Sequence, residues 1–172
     1  MSSARSLNIF VIDWSTTDVV MAISRALHPT GLGIMNVGDM VDKILRQKGL
    51  ISGTSVIKTL NIIGHGNKSG MYLGADWVDD STFPNFQTPL SSLARYFSNE
   101  GDAVVALGGC KVGRNQKLLS LFSNTFGGVR VKAWSADQRP LLPGDEGGES
   151  DCYYNNCSYS GATMLDRLDG DD

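Results

Sequence analysis

Val56–Gly66 reads VIKTLNIIGHG, and Ala103–Cys110 reads AVVALGGC. Each is a short, mainly apolar run that stops at glycine beside a side chain able to do chemistry. Runs of this length without strict polar alternation are expected of strands covered on both faces, as in a parallel sheet. Leu7–Asp13 (LNIFVID) has the same character, and Val129–Trp134 supplies a fourth strand. The intervening segments carry a helical period. Ser15–Asp18 has the form of a capping box, followed by Val19, Val20, Ile23, Ala26 and Leu27 on one helical face, with Pro29 as the stop. Asp39 can cap a second helix, with Val41, Ile44 and Leu45 inward and Gly49 closing it. Thr88-Pro89 opens a third, with Leu90, Leu93, Ala94 and Phe97 inward. Asn115–Phe126 makes a fourth on the stripe Leu118, Leu119, Leu121 and Phe122, ended by Gly127. Met71–Leu73 and Trp77–Val78 form a small hairpin around Gly74. Strand and helix alternating in this way predict a three-layer α/β fold of the flavodoxin-like kind, with a mostly parallel sheet and helices on both faces.

Length and composition agree with that reading. The 172 residues suffice for one domain spanning 1–172, and a hydrophobic share of 41% is enough for a sizeable core. After Trp134 the periodicity stops. Residues 135–160 are rich in Gly, Pro, Ser and Asp and read as a long surface loop; Ala162–Leu168 can form a short helix, and 169–172 read as a flexible acidic tail. A net charge of −3 gives no electrostatic footprint for a nucleic acid. The start, MSSARSLNIFVIDW, is too short and interrupted an apolar run for a signal peptide or membrane helix. The three cysteines are an odd count in a chain too large to need staples. They are expected to be thiols in a reducing compartment such as the cytoplasm, with Cys152 and Cys157 plain thiols on a loop.

In a parallel α/β sheet, functional groups gather at the carboxyl ends of the strands. His65 and Cys110 occupy two such ends. The only other histidine, His28, also precedes Cys110. Papain-like enzymes and class I glutamine amidotransferases place histidine after cysteine, so neither fits. A cysteine phosphatase needs arginine six positions after its cysteine, where Gln116 stands. There is no G-x-S-x-G elbow. One such histidine with scattered cysteines makes no zinc set, and no P-loop or G-x-G-x-x-G supports a nucleotide; Gly31-Leu32-Gly33 lacks the third glycine and a preceding strand. No metal or cofactor is expected.

An apolar strand ending in His-Gly, followed by a second ending in a small residue and Cys, resembles the caspase-like (clan CD) cysteine peptidases. The matching pieces are LNIIGHG (60–66) and AVVALGGC (103–110). The resemblance is nearer to bacterial CHAT-type peptidases and to related domains of large bacterial surface proteins. These continue after the histidine as Gly70-Met71-Tyr72-Leu73-Gly74 does, and after the cysteine as Gly113 through Trp134 does. It covers about residues 57–137, roughly half the chain. The resemblance implies acyl transfer, with Cys110 as nucleophile and His65 as general base and acid. It also implies an oxyanion site from the backbone N–H groups of Gly66 and Cys110. Cys110 is expected just before a helix N-terminus, with Lys111 and Arg114 adding positive charge that favours thiolate.

Pocket residues in the resembled family come partly from the end of the first strand and partly from the strand after the catalytic helix. Here those positions carry Asp13 and Asp137, with no arginine at either. This leans towards a protein or peptide substrate, the chain itself included, with a basic residue before the scissile bond. Arg139 is a conceivable self-cleavage point. An activating partner or adjoining domain is among the things the resemblance allows. Two other readings stay open: a non-catalytic binding or regulatory domain of the same fold, and a small-molecule amide or thioester hydrolase using the same dyad. Asp13 and Asp137 are residues of a kind more often found as caps or turn formers than as pocket residues.

Overall fold

The apolar runs become the strands of one sheet. The computed structural model describes residues 4–135, 152–153 and 156–157. In chain order the elements are β1 (Arg5–Asp13), α1 (Val19–Leu27), β2 (Leu32–Ile34), α2 (Val37–Leu45), β3 (Ser55–Ile63), the hairpin β4 (Gly70–Leu73) and β5 (Asp76–Asp79), α3 (Gln87–Ser91), β6 (Val104–Gly108), α4 (Gln116–Thr125) and β7 (Arg130–Ala133). Two short strands, β8 (Cys152–Tyr153) and β9 (Asn156–Cys157), come last. The sheet order is β2-β1-β3-β6-β7-β8-β9, and the pairs from β2 to β7 are all parallel. β8 and β9 add to the β7 edge antiparallel. Taken alone, the parallel strands have the doubly wound order of flavodoxin-like folds, as the alternation of elements predicts.

Side chains alternate between the two faces of a strand. Ile9 and Val11 of β1 join one buried cluster with Val37, Met40 and Ile44 of α2, Leu90 of α3, and Leu118, Leu119 and Phe122 of α4. Ile12 of β1 and Met21 of α1 are equally buried but lie outside that cluster, on the opposite face. Helices therefore cover both faces. An aromatic chain fastens α4 to its layer: Phe122 meets Phe83 edge-on at 5.0 Å and Phe126 at 6.0 Å, and Phe126 meets Phe97 at 5.2 Å. Burying one such ring contributes about 2–3 kcal/mol. Among the described residues no helix is long and apolar enough to cross a membrane.

Several local expectations shift. α1 is capped by Asp18, not Ser15, and so starts beyond the expected box. The face it buries carries Met21 and Ser24, while Val19 is 70% and Leu27 44% exposed. Two tethers set this rotation. Arg25 Nη2 donates to the carbonyls of Asp13 and Thr16, and Asp18 reaches across to the end of β3. α2 is capped by Asn36, whose Oδ1 accepts from Asp39 N–H at 2.8 Å, and Asp39 instead accepts from Met35 N–H and Lys43. α3 begins at Gln87 and gives way to a 3-10 turn at Ala94–Tyr96, yet Leu90, Leu93 and Phe97 are buried as expected. Within the expected 135–160 loop stand β8 and β9. The expected helix at Ala162–Leu168 and the 169–172 tail lie outside the described residues.

Candidate active site

β3 and β6 are neighbours in the middle of the sheet, with Ile63 opposite Gly108. Two residues beyond each partner stand His65 and Cys110, so the register carries both to equivalent places at the carboxyl edge. Neighbouring strands run about 4.8 Å apart. The pairing continues past the strands, because Gly64 N–H donates to Gly108 O at 3.4 Å. Gly66 and Gly109 then meet backbone to backbone. A Cβ on Gly66 would stand 3.1 Å from Gly109 Cα and 2.6 Å from Val112 Cγ2; one on Gly109 would stand 2.8 Å from the same methyl. Glycine at both positions is what lets the two loops close over buried Val112.

His65 is held by a residue whose sequence context points only to a helix cap. Its Nε2 lies 2.9 Å from Asp18 Oδ2. Asp18 stands just past the end of β1, itself the other neighbour of β3. The two oxygens of Asp18 divide their work. Oδ1 accepts from Val20 N–H (2.9 Å) and Met21 N–H (3.1 Å), capping α1, while Oδ2 accepts from Thr16 Oγ1 at 2.7 Å and faces His65. The Thr16 hydroxyl, with His65 and the cap, holds the Asp18 carboxyl well below the usual carboxylate range, against a smaller opposing effect of burial. The imidazole and the carboxylate are each about a third or more exposed, so the pair sits at an open edge.

Cys110 carries a half-buried thiol. The α-helix expected directly after it starts only at Gln116; a 3-10 turn at Val112–Arg114 intervenes. The helix N-terminus expected directly after Cys110 thus lies further on, six residues along the chain. The residue next to Cys110 is instead Lys111 at φ 56°, the one non-glycine residue with positive φ among those described. This left-handed residue turns the chain sharply at the end of β6. The turn is pinned by Gly113 N–H donating to Trp134 O and by Arg114 Nε donating to Ser135 O, both just past β7. Such backbone strain clusters at functional sites.

The loop after His65 is also tied down. Asn67 Oδ1 accepts from Ser69 N–H, and Asn115, whose Oδ1 caps α4, donates through Nδ2 to Ser69 O at 2.7 Å. Lys117 pairs with Asp80 at 2.9 Å, strapping the β4–β5 hairpin to α4. In this loop Gly66 and Met71 face each other as a bridge whose hydrogen bonds belong to their neighbours, Tyr72 N–H to His65 O and Asn67 N–H to Gly70 O. The Gly66 N–H therefore has no backbone acceptor among the described residues and is available as a donor.

Asp13 ends β1 and is buried at 2% exposure. Its Oδ1 accepts from both Ser15 N–H and Ser15 Oγ at 2.7 Å, so that oxygen shapes the β1–α1 turn. It is still close to the site: a Cβ on Gly64 would lie 3.8 Å from Asp13 Cβ. Asp137 and Arg139 lie outside the described residues. Among the described residues no three His, Cys, Asp or Glu side chains group to hold a metal ion.

A family model described as a domain of unknown function, DUF4347, matches residues 9–137. The chain belongs to the DUF4347 family. No curated protein and no solved structure matches it. The DUF4347 span opens within β1 and takes in Asp18, His65 and Cys110 together with all the parallel strands, so the whole candidate site lies inside it. β8 and β9 fall beyond the DUF4347 match.

Proposed function

We propose that the domain is a cysteine peptidase of the caspase-like type, using His65 as base and Cys110 as nucleophile. The observation that carries this reading is the register of β3 and β6, which sets the two residues at matching strand ends while Gly66 and Gly109 close against each other. The thiol proton passes to His65, and Cys110 Sγ attacks the substrate carbonyl to form a thioester. His65 returns the proton to the leaving amine, then activates the water that releases the acid. The Gly66 N–H, with that of Cys110, would receive the oxyanion. These steps use side chains and backbone alone. The substrate would be a protein or peptide. Asp13 beside the site and Asp137 favour a basic residue before the cleaved bond, and a thiol nucleophile suits the cytoplasm.

A thiol-directed activity probe tests the dyad. Cys110 should be labelled at neutral pH, and labelling should drop on His65→Ala. An inert Cys110 would instead favour a non-catalytic binding domain. Peptide libraries with Arg, Lys or Asp before the bond test the pocket, and a clear Asp preference would remove the role given to Asp13.

A further inference from the structure

Resting on the dyad reading, we infer that Asp18 is a positioning residue that holds His65 in the tautomer with the proton on Nε2, leaving Nδ1 as the base for the Cys110 thiol. An ionised carboxylate only accepts hydrogen bonds. Asp18 Oδ2 stands 2.9 Å from Nε2, so the proton of that bond sits on the ring nitrogen. Nδ1 has no hydrogen-bond partner among the described residues and keeps its lone pair. When the thiol reacts, its S–H bond breaks and an Nδ1–H bond forms. The positive charge then spreads over a ring whose far edge already faces an anion, and the Nε2 proton stays where it is.

Three features make Asp18 more than a cap. Its capping bonds use Oδ1 alone, so the bond to His65 adds nothing to α1 that the cap requires. Thr16 Oγ1 donates to the same Oδ2 that meets His65, fixing that oxygen in place. The turn carrying it is braced from below by Arg25 on the carbonyls of Asp13 and Thr16. A carboxylate with this many anchors has little freedom left to track the imidazole, so the ring must adjust to the carboxylate.

The division between the two oxygens gives the test. Asp18→Asn retains a capping oxygen, since Asn and Asp cap comparably, but presents an N–H₂ to Nε2. That donor forces the ring to carry its proton on Nδ1. We expect ¹⁵N histidine spectra of the full chain to show His65 protonated on Nε2 in the wild type and on Nδ1 in Asp18→Asn, with the variant still folding cooperatively. The rate of Cys110 alkylation by iodoacetamide at neutral pH should fall about tenfold or more. Should Asp18→Asn fail to fold, Asp18→Ser, which caps but is too short to reach His65, should likewise release the Nε2 tautomer. An unchanged tautomer in the folded variant overturns the inference. If the tautomer flips but neither His65→Ala nor Asp18→Asn changes the alkylation rate, the positioning contact stands and the dyad reading falls.

Discussion

Gly66 and Gly109 touch backbone to backbone, and a Cβ on the first would stand 3.1 Å from the Cα of the second. This contact brings together the loop after the histidine and the strand end before the cysteine. Alanine at Gly66 also meets Val112 Cγ2, which is fully buried and has little room to move. Gly66→Ala should destabilise the fold by about 1–3 kcal/mol through overpacking. It should also separate His65 from Cys110, so probe labelling of Cys110 should fall in protein that urea titration shows to be folded. A folded Gly66→Ala variant that labels like wild type would contradict the closed arrangement.

Lys111 occupies left-handed backbone at φ 56°. A side chain there costs about 1–2 kcal/mol relative to a relaxed conformation, part of which glycine gives back through its more flexible unfolded state. Lys111→Gly should therefore raise stability in urea by about 0.5–1 kcal/mol. A loss of stability would mean that contacts of the lysine side chain outweigh the strain.

Phe122 links two aromatic neighbours beneath α4 and is fully buried. Phe122→Ala should cost about 3–5 kcal/mol, visible as a lower denaturation midpoint. Since α4 comes directly after the Cys110 turn, local opening measured by hydrogen exchange should rise most from Val112 to Thr125.

The Asp18 carboxyl is held well below its ordinary range by the Thr16 hydroxyl first, then by His65 and the cap. A group depressed in the folded state favours folding above its unfolded pKa, about 3.9 for aspartate, and loses that contribution as pH falls through its lower folded value. The stability advantage of wild type over Asp18→Asn should thus be level near neutrality and shrink below about pH 4. Denaturation curves at a series of pH values check the sign; an advantage that grows on acidification would refute it.

Much of the fold was legible because buried parallel strands leave an unmistakable apolar run, and four such runs became β1, β3, β6 and β7. β2 was not, since Leu32–Ile34 is too short for any pattern and is interrupted by Gly33. His65 and Cys110 could be read from their places after strands. Asp18 could not: in sequence a helix cap and an imidazole partner look the same, and only the fold reveals that residue 18 meets residue 65. The one hint was an acidic residue between a strand end and a helix start, at the edge where sites gather. Capping positions slid for a similar reason. Ser15 and Asp39 both have capping chemistry, but Asp18 and Asn36 win because tertiary tethers fix where each helix starts. Lys111 gave no sign of its backbone, lysine being an unusual choice for that region.

The pairing of Ile63 with Gly108 works as a ruler. The positions of His65 and Cys110 are counted from this ladder, so a change of length in the connection beyond the β4–β5 hairpin leaves that count as it is. One residue added inside β3 or β6 would slide its end by about 3.3 Å and turn its side chains to the opposite face. Drift in such a domain is therefore tolerated in the connections and forbidden in the strands. On the dyad reading, distant members of the family are expected to keep two residues from last rung to histidine and two from last rung to cysteine, whatever the span that separates them.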